Sequence, residues 1–284
     1  DHPSFINQIS YRGTALNVAV NKNNIQIVKR LLSIHGINPN LYSVDNCTPL
    51  ISAITKLNLE ITNVLLDFYG DKIQAQMWQL NKALKRILRQ LSGIMFDNRY
   101  DEDEDDDVNE IIDIGIDDNA EYSSFLKKNQ DNILNIVNLL MDIENIDLNC
   151  HVHKYTLLTY ACEANEIDMI KTLIKSDKVD VNSYAPLNGN TPLMIAIENK
   201  NVEVAELLIE NPRIDINLRN YNGKTALTLA VTHNLDSIVN LIVTNANFDP
   251  EQSCINDAFY FSSGQISIQL FCVKGLDVNY CYNN

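Results

Sequence analysis

Short apolar patterns of helical spacing alternate with polar loops along the chain, and residues 188–222 contain one complete unit of this alternation. Thr191 and Pro192 predict a helix start, because a threonine hydroxyl caps a backbone N–H and a proline at the first helical position loses no hydrogen bond. After this short helix and a polar turn, apolar residues recur at helical spacing over 202–209. We therefore predict two antiparallel helices and, beyond Pro212, a hairpin-like polar loop.

The same unit recurs along the chain, which makes the pattern far more specific than one copy would be. Its helix-start threonines follow one another at nearly constant steps, except across the middle of the chain: Thr14, Thr48, Thr156, Thr191 and Thr225. The unit resembles the ankyrin repeat, which has a period of about 33 residues and a first helix that opens with Thr-Pro-Leu-His. This resemblance implies an all-α fold, an ankyrin-repeat solenoid of stacked antiparallel helix pairs with hairpin loops.

The resemblance covers the whole chain as one ankyrin-repeat domain of six to seven repeats. We place the domain at 1–284, with repeats near 8–44, 45–70, 71–150, 151–187, 188–221, 222–250 and 251–281. The third repeat lacks the Thr-Pro-Leu start and contains an acidic insertion over about 92–127. Both ends of the chain fall inside a repeat, so we expect a segment of a longer array.

The turn between the two helices of a repeat usually carries glycine in this family. Asn23, Asn165 and Asn234 stand at that place here, and asparagine is the non-glycine residue that best tolerates a left-handed backbone. We therefore expect these three turns to keep the family conformation. Leu57, at the same place in the second repeat, departs from the pattern.

Composition indicates a folded protein and narrows its partners. The hydrophobic content of 45% supports a large core, and the net charge of −15 argues against nucleic acid, whose phosphates need clustered Lys and Arg. No run of about 18 apolar residues occurs, so no membrane span is expected. The sequence shows no secretory signal, so we expect a cytoplasmic protein with reduced cysteines and leave a nuclear location open. We also expect a monomer.

Few residues suggest chemistry. Cys150, His151 and His153 have the types that bind zinc, but no second ligand pair stands at a recognised spacing. The acidic run 101–107 lacks the glycine and closing glutamate of an EF-hand, so a solvated loop is the plain interpretation. The alternative is that it docks onto the basic face of a helix predicted over 72–91, or attracts a basic partner.

No nucleophile elbow, Walker loop, HExxH or kinase signature is present, so we predict no enzyme, no cofactor and no metal.

Lys82, Lys85 and Arg86 belong to the predicted basic face, and Trp78 on the same helix is predicted to pack rather than to bind. The main alternative function is a regulatory ankyrin segment of a larger enzyme or channel, with the chemistry outside this chain.

The resemblance implies a protein-protein interaction module or scaffold, which binds a protein partner through hairpin tips and the concave face. The partner is unidentified, and would be basic if the acidic tract takes part. The matching positions are Tyr42, Asp45, Lys56, His151, His153, Tyr155, Glu163, Tyr184, Asn188, Asn190, Glu198, Asn199, Arg219, Tyr221, Lys224 and His233. Tyr155, Tyr184, Arg219 and Tyr221 are the first choices, because tyrosine and arginine most often dominate interface energy.

Overall fold

The fold is all-α, as predicted from the sequence. The computed structural model describes residues 5–43, 46–70, 77–91, 130–152, 155–262, 264–271 and 273. These residues form fourteen helices and contain no strand. The predicted acidic insertion over 92–127 lies outside the described residues, as do the predicted contact residues Asp45 and His153.

The chain divides into two compact units, Asp1–Cys150 and His151–Asn284. The helices of the first unit are α1 Ala15–Asn21, α2 Ile25–Leu32, α3 Pro49–Thr55, α4 Leu59–Tyr69, α5 Met77–Leu91 and α6 Gln130–Met141. Within this unit α1 packs on α3 and α3 on α5, while α2 packs on α4 and α4 on α6. First helices and second helices therefore form two parallel rows.

The second unit repeats this arrangement over four helix pairs. Its helices are α7 Leu157–Glu163, α8 Ile167–Leu173, α9 Pro192–Glu198, α10 Val202–Ile209, α11 Ala226–Thr232, α12 Asp236–Thr244, α13 Ile255–Phe261 and α14 Gly264–Phe271. One row runs through α7, α9, α11 and α13, and the other through α8, α10, α12 and α14. No described helix is both long and apolar enough to cross a membrane. The exact repeat boundaries stay a prediction.

The predicted threonine caps are confirmed. Each of the five threonines has an extended backbone, and its hydroxyl oxygen accepts the N–H three residues further on. In α9, for example, Thr191 accepts from the backbone of Met194 at 3.3 Å, and Pro192 follows at the first helical position. Each such cap stabilises its helix by about 1 kcal/mol.

Stacking of neighbouring pairs buries apolar residues on the second helix of several pairs. The third residue after the cap is Ile61 in α4, Val204 in α10 and Ile238 in α12, and all three are fully buried. Burial of one such side chain contributes roughly 1.5–3 kcal/mol. Because each helix pair buries its apolar side against the next pair, the hydrophobic core is continuous along each unit.

The loops between repeats are joined by asparagine side chains. Asn182 donates its amide to the carbonyl of Arg213 at 2.8 Å and accepts the N–H of Asp215 at 2.8 Å. Asn217 makes the same two contacts one repeat later, with Asn247 and Asp249, at 2.8 and 2.9 Å. Each side chain therefore satisfies one donor and one acceptor of the next loop. We call these contacts the asparagine clamps.

The turns between paired helices have the left-handed backbone expected from asparagine. The φ angles are 53° at Asn23, 58° at Asn165 and 56° at Asn234. Leu57 and Lys200 take the same conformation, with φ of 56° and 57°. The departure at Leu57 therefore changes the residue but not the turn, and a side chain there adds about 1–2 kcal/mol of backbone strain.

Candidate functional site

Two neighbouring hairpins of the second unit form the clearest candidate surface. In the first, the N–H of Ala185 donates to the carbonyl of Asn190, and that of Gly189 donates to Ala185, both at 2.8 Å. In the second, the N–H of Asn220 donates to the carbonyl of Lys224 at 2.9 Å, and Gly223 closes the turn. Both glycines have positive φ, 70° and 73°, which explains their presence at these bends.

The two hairpins are bonded to each other. The N–H of Tyr221 donates to the carbonyl of Asn188 at 3.0 Å. Beneath this contact, the amide of Asn220 donates to the side-chain oxygen of Asn190 at 2.7 Å. The amide of Asn190 in turn donates to a carboxylate oxygen of Glu198 at 2.6 Å, at the end of α9. The hairpin tips are therefore held in one fixed relation to each other and to the first helix.

Three large and largely apolar side chains of these hairpins are exposed, and we call them the hairpin surface: Tyr184, Leu187 and Tyr221. Their side chains are 37%, 75% and 66% exposed. Arg219 and Lys224, on the second hairpin, are exposed as well. Large exposed aromatic and aliphatic side chains on a rigid support are typical of protein-binding sites.

The structure corrects one predicted contact residue. Asn190 was assigned to the binding surface from its hairpin position, but it is fully buried. Its side chain is occupied by Asn220 and Glu198, so that prediction is wrong and Asn190 supports the surface from below. Asn188 is half-buried, and its side-chain oxygen accepts the N–H of Asn190 at 3.0 Å.

The ends of the first helices carry a polar rim next to the hairpins. Glu163, Glu198 and Asn199 are exposed, and His233 is half-buried. The amide of Asn199 donates to a carboxylate oxygen of Glu163 at 3.0 Å, which links the ends of α7 and α9. These predicted positions are thus near one another along the row of first helices.

Tyr155 lies at the start of the second unit, half-buried beside Tyr160. Their rings meet edge to face, with centroids 6.0 Å apart. Burial, with smaller contributions from the Glu166 carboxylate and Tyr155, raises the pKa of Tyr160 to about 12. His151 is exposed nearby in sequence, before the bridge between Val152 and Tyr155.

In the first unit, Tyr42 and Trp78 form an exposed aromatic pair. They are 40% and 45% exposed, and their ring centroids are 5.8 Å apart. Trp78 was predicted to pack, and it does pack on Tyr42 while leaving almost half of its surface in solvent. Lys56, at the end of α3, is exposed too. Sequence reasoning missed Trp78 and Leu187 as surface residues, although Leu187 stands between Pro186 and Asn188 in a stretch rich in turn-forming residues.

The predicted basic face of α5 is only partly available for docking. Lys82 and Lys85 are half-buried, and Arg86 is 2% exposed. The Arg86 guanidinium donates to the sulfur of Cys47, which is also buried. Arg86 therefore belongs to the interior of the first unit, and its assignment to a surface that could receive the acidic run was wrong.

The possible metal-ligating side chains of the described residues are scattered. They contain no group of three or more His, Cys, Asp or Glu side chains placed to hold a metal ion. Cys47, Cys150, Cys162 and Cys254 are free thiols and buried, whereas Cys272 and Cys281 lie outside the described residues. Burial raises the pKa of Cys150 to about 11, so this thiol is a poor nucleophile at neutral pH.

Stacked helix pairs, threonine caps, left-handed turns and bonded hairpins together define a repeat protein of the ankyrin class. The family model for ankyrin repeats matches the chain three times, over 2–77, 124–220 and 179–254. These matches span well over half of the chain, so the protein belongs to the ankyrin repeat family. Members of this family are protein-interaction modules.

Several known proteins resemble parts of the chain. The human transient receptor potential cation channel subfamily A member 1 is 29% identical over 118 residues, which are 41% of this chain and 9% of the channel. The NF-kappa-B inhibitor cactus of Drosophila melanogaster is 30% identical over 125 residues, which are 41% of this chain and 24% of cactus. The chain therefore spans only a small part of the length of these relatives.

A solved structure supports the fold over nearly the whole chain. The ankyrin repeat domain of Bcl-3, a member of the IkappaB protein family, superimposes with a TM-score of 0.56 and 17% identity. The match covers 91% of this chain and 97% of the Bcl-3 domain. At this level of identity the likeness concerns the fold.

Proposed function

We propose that this chain is a non-enzymatic scaffold that binds a protein partner through its hairpin tips and the concave face lined by first helices. The single observation that supports this most strongly is the hairpin surface on bonded hairpins. Because the two hairpins are already fixed by hydrogen bonds, binding would order few groups, and little conformational entropy would be lost.

The proposed contact residues combine the predicted positions with those the fold exposes. They are Tyr42, Lys56, Trp78, His151, Tyr155, Glu163, Tyr184, Leu187, Asn188, Glu198, Asn199, Arg219, Tyr221, Lys224 and His233, with Asp45 and His153 kept as sequence-based proposals. Tyr184, Arg219 and Tyr221 are the expected hot spots, because aromatic and arginine anchors at the centre of a contact contribute most of the binding free energy.

We propose a basic partner. Residues 155–262 contain 14 Asp and Glu against 7 Lys and Arg, and the acidic run 101–107 adds to this charge. Such an excess attracts a positively charged protein, mainly by raising the association rate, and salt weakens the attraction. A cytoplasmic location is proposed together with this function, supported by the buried free thiols.

The test compares three forms of the chain as bait for proteins from its native cells: the wild type, a Tyr184/Arg219/Tyr221 triple alanine variant, and a control. The control replaces Lys171, Glu203 and Asp236 by alanine, three exposed residues on second helices. A specific partner should be retained by the wild type and the control and lost from the triple variant. Equal recovery by all three would refute the proposed surface.

A second function is favoured by the similarity to a cation channel, of which this chain matches 9%. Under this proposal the segment regulates a larger enzyme or channel, and the chemistry lies outside the chain. The complete reading frame distinguishes the two proposals directly: a catalytic or pore-forming domain in it would support the regulatory role. A frame containing only further repeats would support the scaffold.

A further inference from the structure

Two Asn-Gly sequences occur in the chain, and both lie in the hairpins of the second unit: Asn188-Gly189 and Asn222-Gly223. This dipeptide has a chemistry of its own. Because glycine carries no side chain, its backbone nitrogen can approach the side-chain carbon Cγ of the preceding asparagine, attack it and release ammonia. The contacts of the asparagine and of the glycine decide how readily a folded chain undergoes this reaction.

Asn188-Gly189 is held by several contacts. The side-chain oxygen of Asn188 accepts the N–H of Asn190 at 3.0 Å, which ties the carboxamide to the backbone. The backbone carbonyl of Asn188 accepts the N–H of Tyr221 at 3.0 Å. Gly189 is buried, and a β-carbon there would fall 2.5 Å from the Tyr221 ring. These contacts restrict the movement that brings the glycine nitrogen and the asparagine Cγ together.

Asn222-Gly223 is open in each of these respects. Both residues are exposed, and a β-carbon on Gly223 would meet nothing within 4 Å. The N–H of Asn222 donates to the side-chain oxygen of Asn220 at 3.0 Å. No described residue is hydrogen-bonded to the carboxamide or to the backbone carbonyl of Asn222. The Asn222 side chain can therefore turn toward the glycine nitrogen without losing a contact.

The N–H groups of the two glycines do not by themselves distinguish the sites. That of Gly189 donates to the carbonyl of Ala185 at 2.8 Å, and that of Gly223 donates to the carbonyl of Asn220 at 2.9 Å. Each bond must open before the nitrogen loses its proton and attacks. A bond in an exposed turn opens at small cost, whereas at the buried Gly189 the Tyr221 ring must move as well.

We propose that Asn222 is a site of spontaneous deamidation and that the fold protects Asn188 from the same reaction. The Gly223 nitrogen forms a bond to Cγ of Asn222, the Cγ–Nδ2 bond breaks, and the amide proton of Gly223 leaves with Nδ2 as ammonia. Water then opens the cyclic imide at either of its carbonyls and gives aspartate or isoaspartate. Water is the only co-reactant, and nothing is oxidised or reduced.

The reaction changes the charge of the second hairpin. Either product places a carboxylate between Tyr221 and Lys224, where the chain has a neutral amide. The isoaspartate product also adds one carbon to the backbone of the turn, in which the N–H of Asn220 is bonded to the carbonyl of Lys224 at 2.9 Å. The hairpin that carries Tyr221 therefore gains negative charge with time. The modification site itself is independent of the function proposed above.

Timed incubation of the whole folded chain at mildly alkaline pH tests the proposal. Trypsin cleaves after Lys and Arg, so the two sites fall in separate peptides, 179–200 and 220–224. Mass spectrometry of each peptide measures the replacement of the amide NH₂ by OH, and an isoaspartyl methyltransferase labels the isoaspartate. Asn222 should react at least about tenfold faster than Asn188, because opening of Asn188 breaks additional hydrogen bonds. Equal rates at the two sites would overturn the proposal.

Unfolding of the same chain in guanidinium chloride provides the matched control. Without the fold the two Asn-Gly sequences should react at similar rates, and a difference that persists there contradicts protection by the fold. The Asn222→Gln variant should fold like the wild type, since this side chain is exposed. It should lose the mass change in peptide 220–224, because the longer side chain does not close a five-membered ring. A mass change that remains would place the reaction at Asn220 and contradict the proposal.

Discussion

The ring of Tyr221 lies directly over Gly189, so close that a β-carbon on the glycine would fall 2.5 Å from the ring. The exposed tyrosine of one hairpin is thus seated on the backbone of the hairpin before it. Only a glycine allows this approach, and the φ of 70° at Gly189 independently favours glycine. The position of the Tyr221 side chain on the hairpin surface therefore depends on Gly189, a residue that is itself buried.

Gly189→Ala should move the Tyr221 ring away from its position, while Gly223→Ala should not. Both glycines have φ near 70°, so each substitution should lower the free energy of unfolding by about 1–2 kcal/mol through backbone strain. At Gly223 a β-carbon meets nothing within 4 Å. Proton chemical shifts of the Tyr221 ring, with chemical denaturation of both variants, check this. Equal ring shifts in the two variants would contradict the packing described.

If Tyr221 anchors a partner, Gly189→Ala should reduce partner binding almost as much as Tyr221→Ala. The binding of Gly223→Ala should stay close to that of the wild type, because its hairpin carries the same strain without the displaced ring. Binding measured by calorimetry with a partner from the bait experiment checks this expectation.

Lys200→Gly should stabilise the protein, whereas Leu57→Gly should destabilise it. Both residues have a left-handed backbone, and glycine removes the strain at each, for a net gain of roughly 0.5–1 kcal/mol at Lys200. Lys200 is exposed, but Leu57 is 3% exposed, and loss of its side chain costs about 2–4 kcal/mol. Urea denaturation measures the change in the free energy of unfolding for both variants. A Leu57→Gly variant more stable than the wild type would show that the leucine side chain contributes little to the core.

Thr225→Ala should destabilise the protein more than Thr191→Ala. Both threonines cap their helices, which accounts for about 1 kcal/mol in each case. The Thr225 hydroxyl also donates to the carbonyl of Ser253 at 2.8 Å, in a buried place that links two repeats. Its removal leaves that carbonyl unsatisfied and costs about 1–3 kcal/mol more. Equal losses in thermal and urea denaturation would show that the second bond is not stabilising.

Stability should fall as pH rises from about 10 to about 12, in part through Tyr160. Its pKa is raised by burial, so the unfolded chain releases this proton at a lower pH than the folded chain does. The native state is then favoured below the ordinary pKa and loses that advantage as pH rises through the folded value. Tyr160→Phe should flatten the dependence on pH in urea denaturation. An unchanged dependence would assign the effect to other groups.

Local features of the fold were predictable from the sequence because they depend on adjacent residues. The cap at Thr191 needs only a hydroxyl three residues before a free N–H, and the turn at Asn23 needs only a residue tolerant of positive φ. The conformation of Leu57 was not predictable in this way. Its neighbours in the repeat impose the turn, and burial of the leucine offsets the strain.

Features of the candidate site that depend on contacts between repeats were harder to predict. Asn190 is polar and lies in a loop, which suggests exposure, yet Asn220 and Glu198 reach it from outside its own hairpin and allow it to be buried. Arg86 was assigned to the basic face of a predicted helix, but the interior of the first unit encloses it beside Cys47. Such outcomes require knowledge of which residues meet across repeats.

The asparagine clamps affect how the number of repeats in such a protein can change during evolution. Each clamp at Asn182 or Asn217 reaches no further than the following loop, and the N–H and carbonyl that it engages belong to the backbone. A copied repeat inserted in frame therefore brings the side chain that binds these backbone groups, and only the clamp at Asn217 also engages a neighbouring side chain, the Ser253 hydroxyl. Duplication and deletion of whole repeats become tolerable steps, and the array can grow or shrink without redesign of its neighbours.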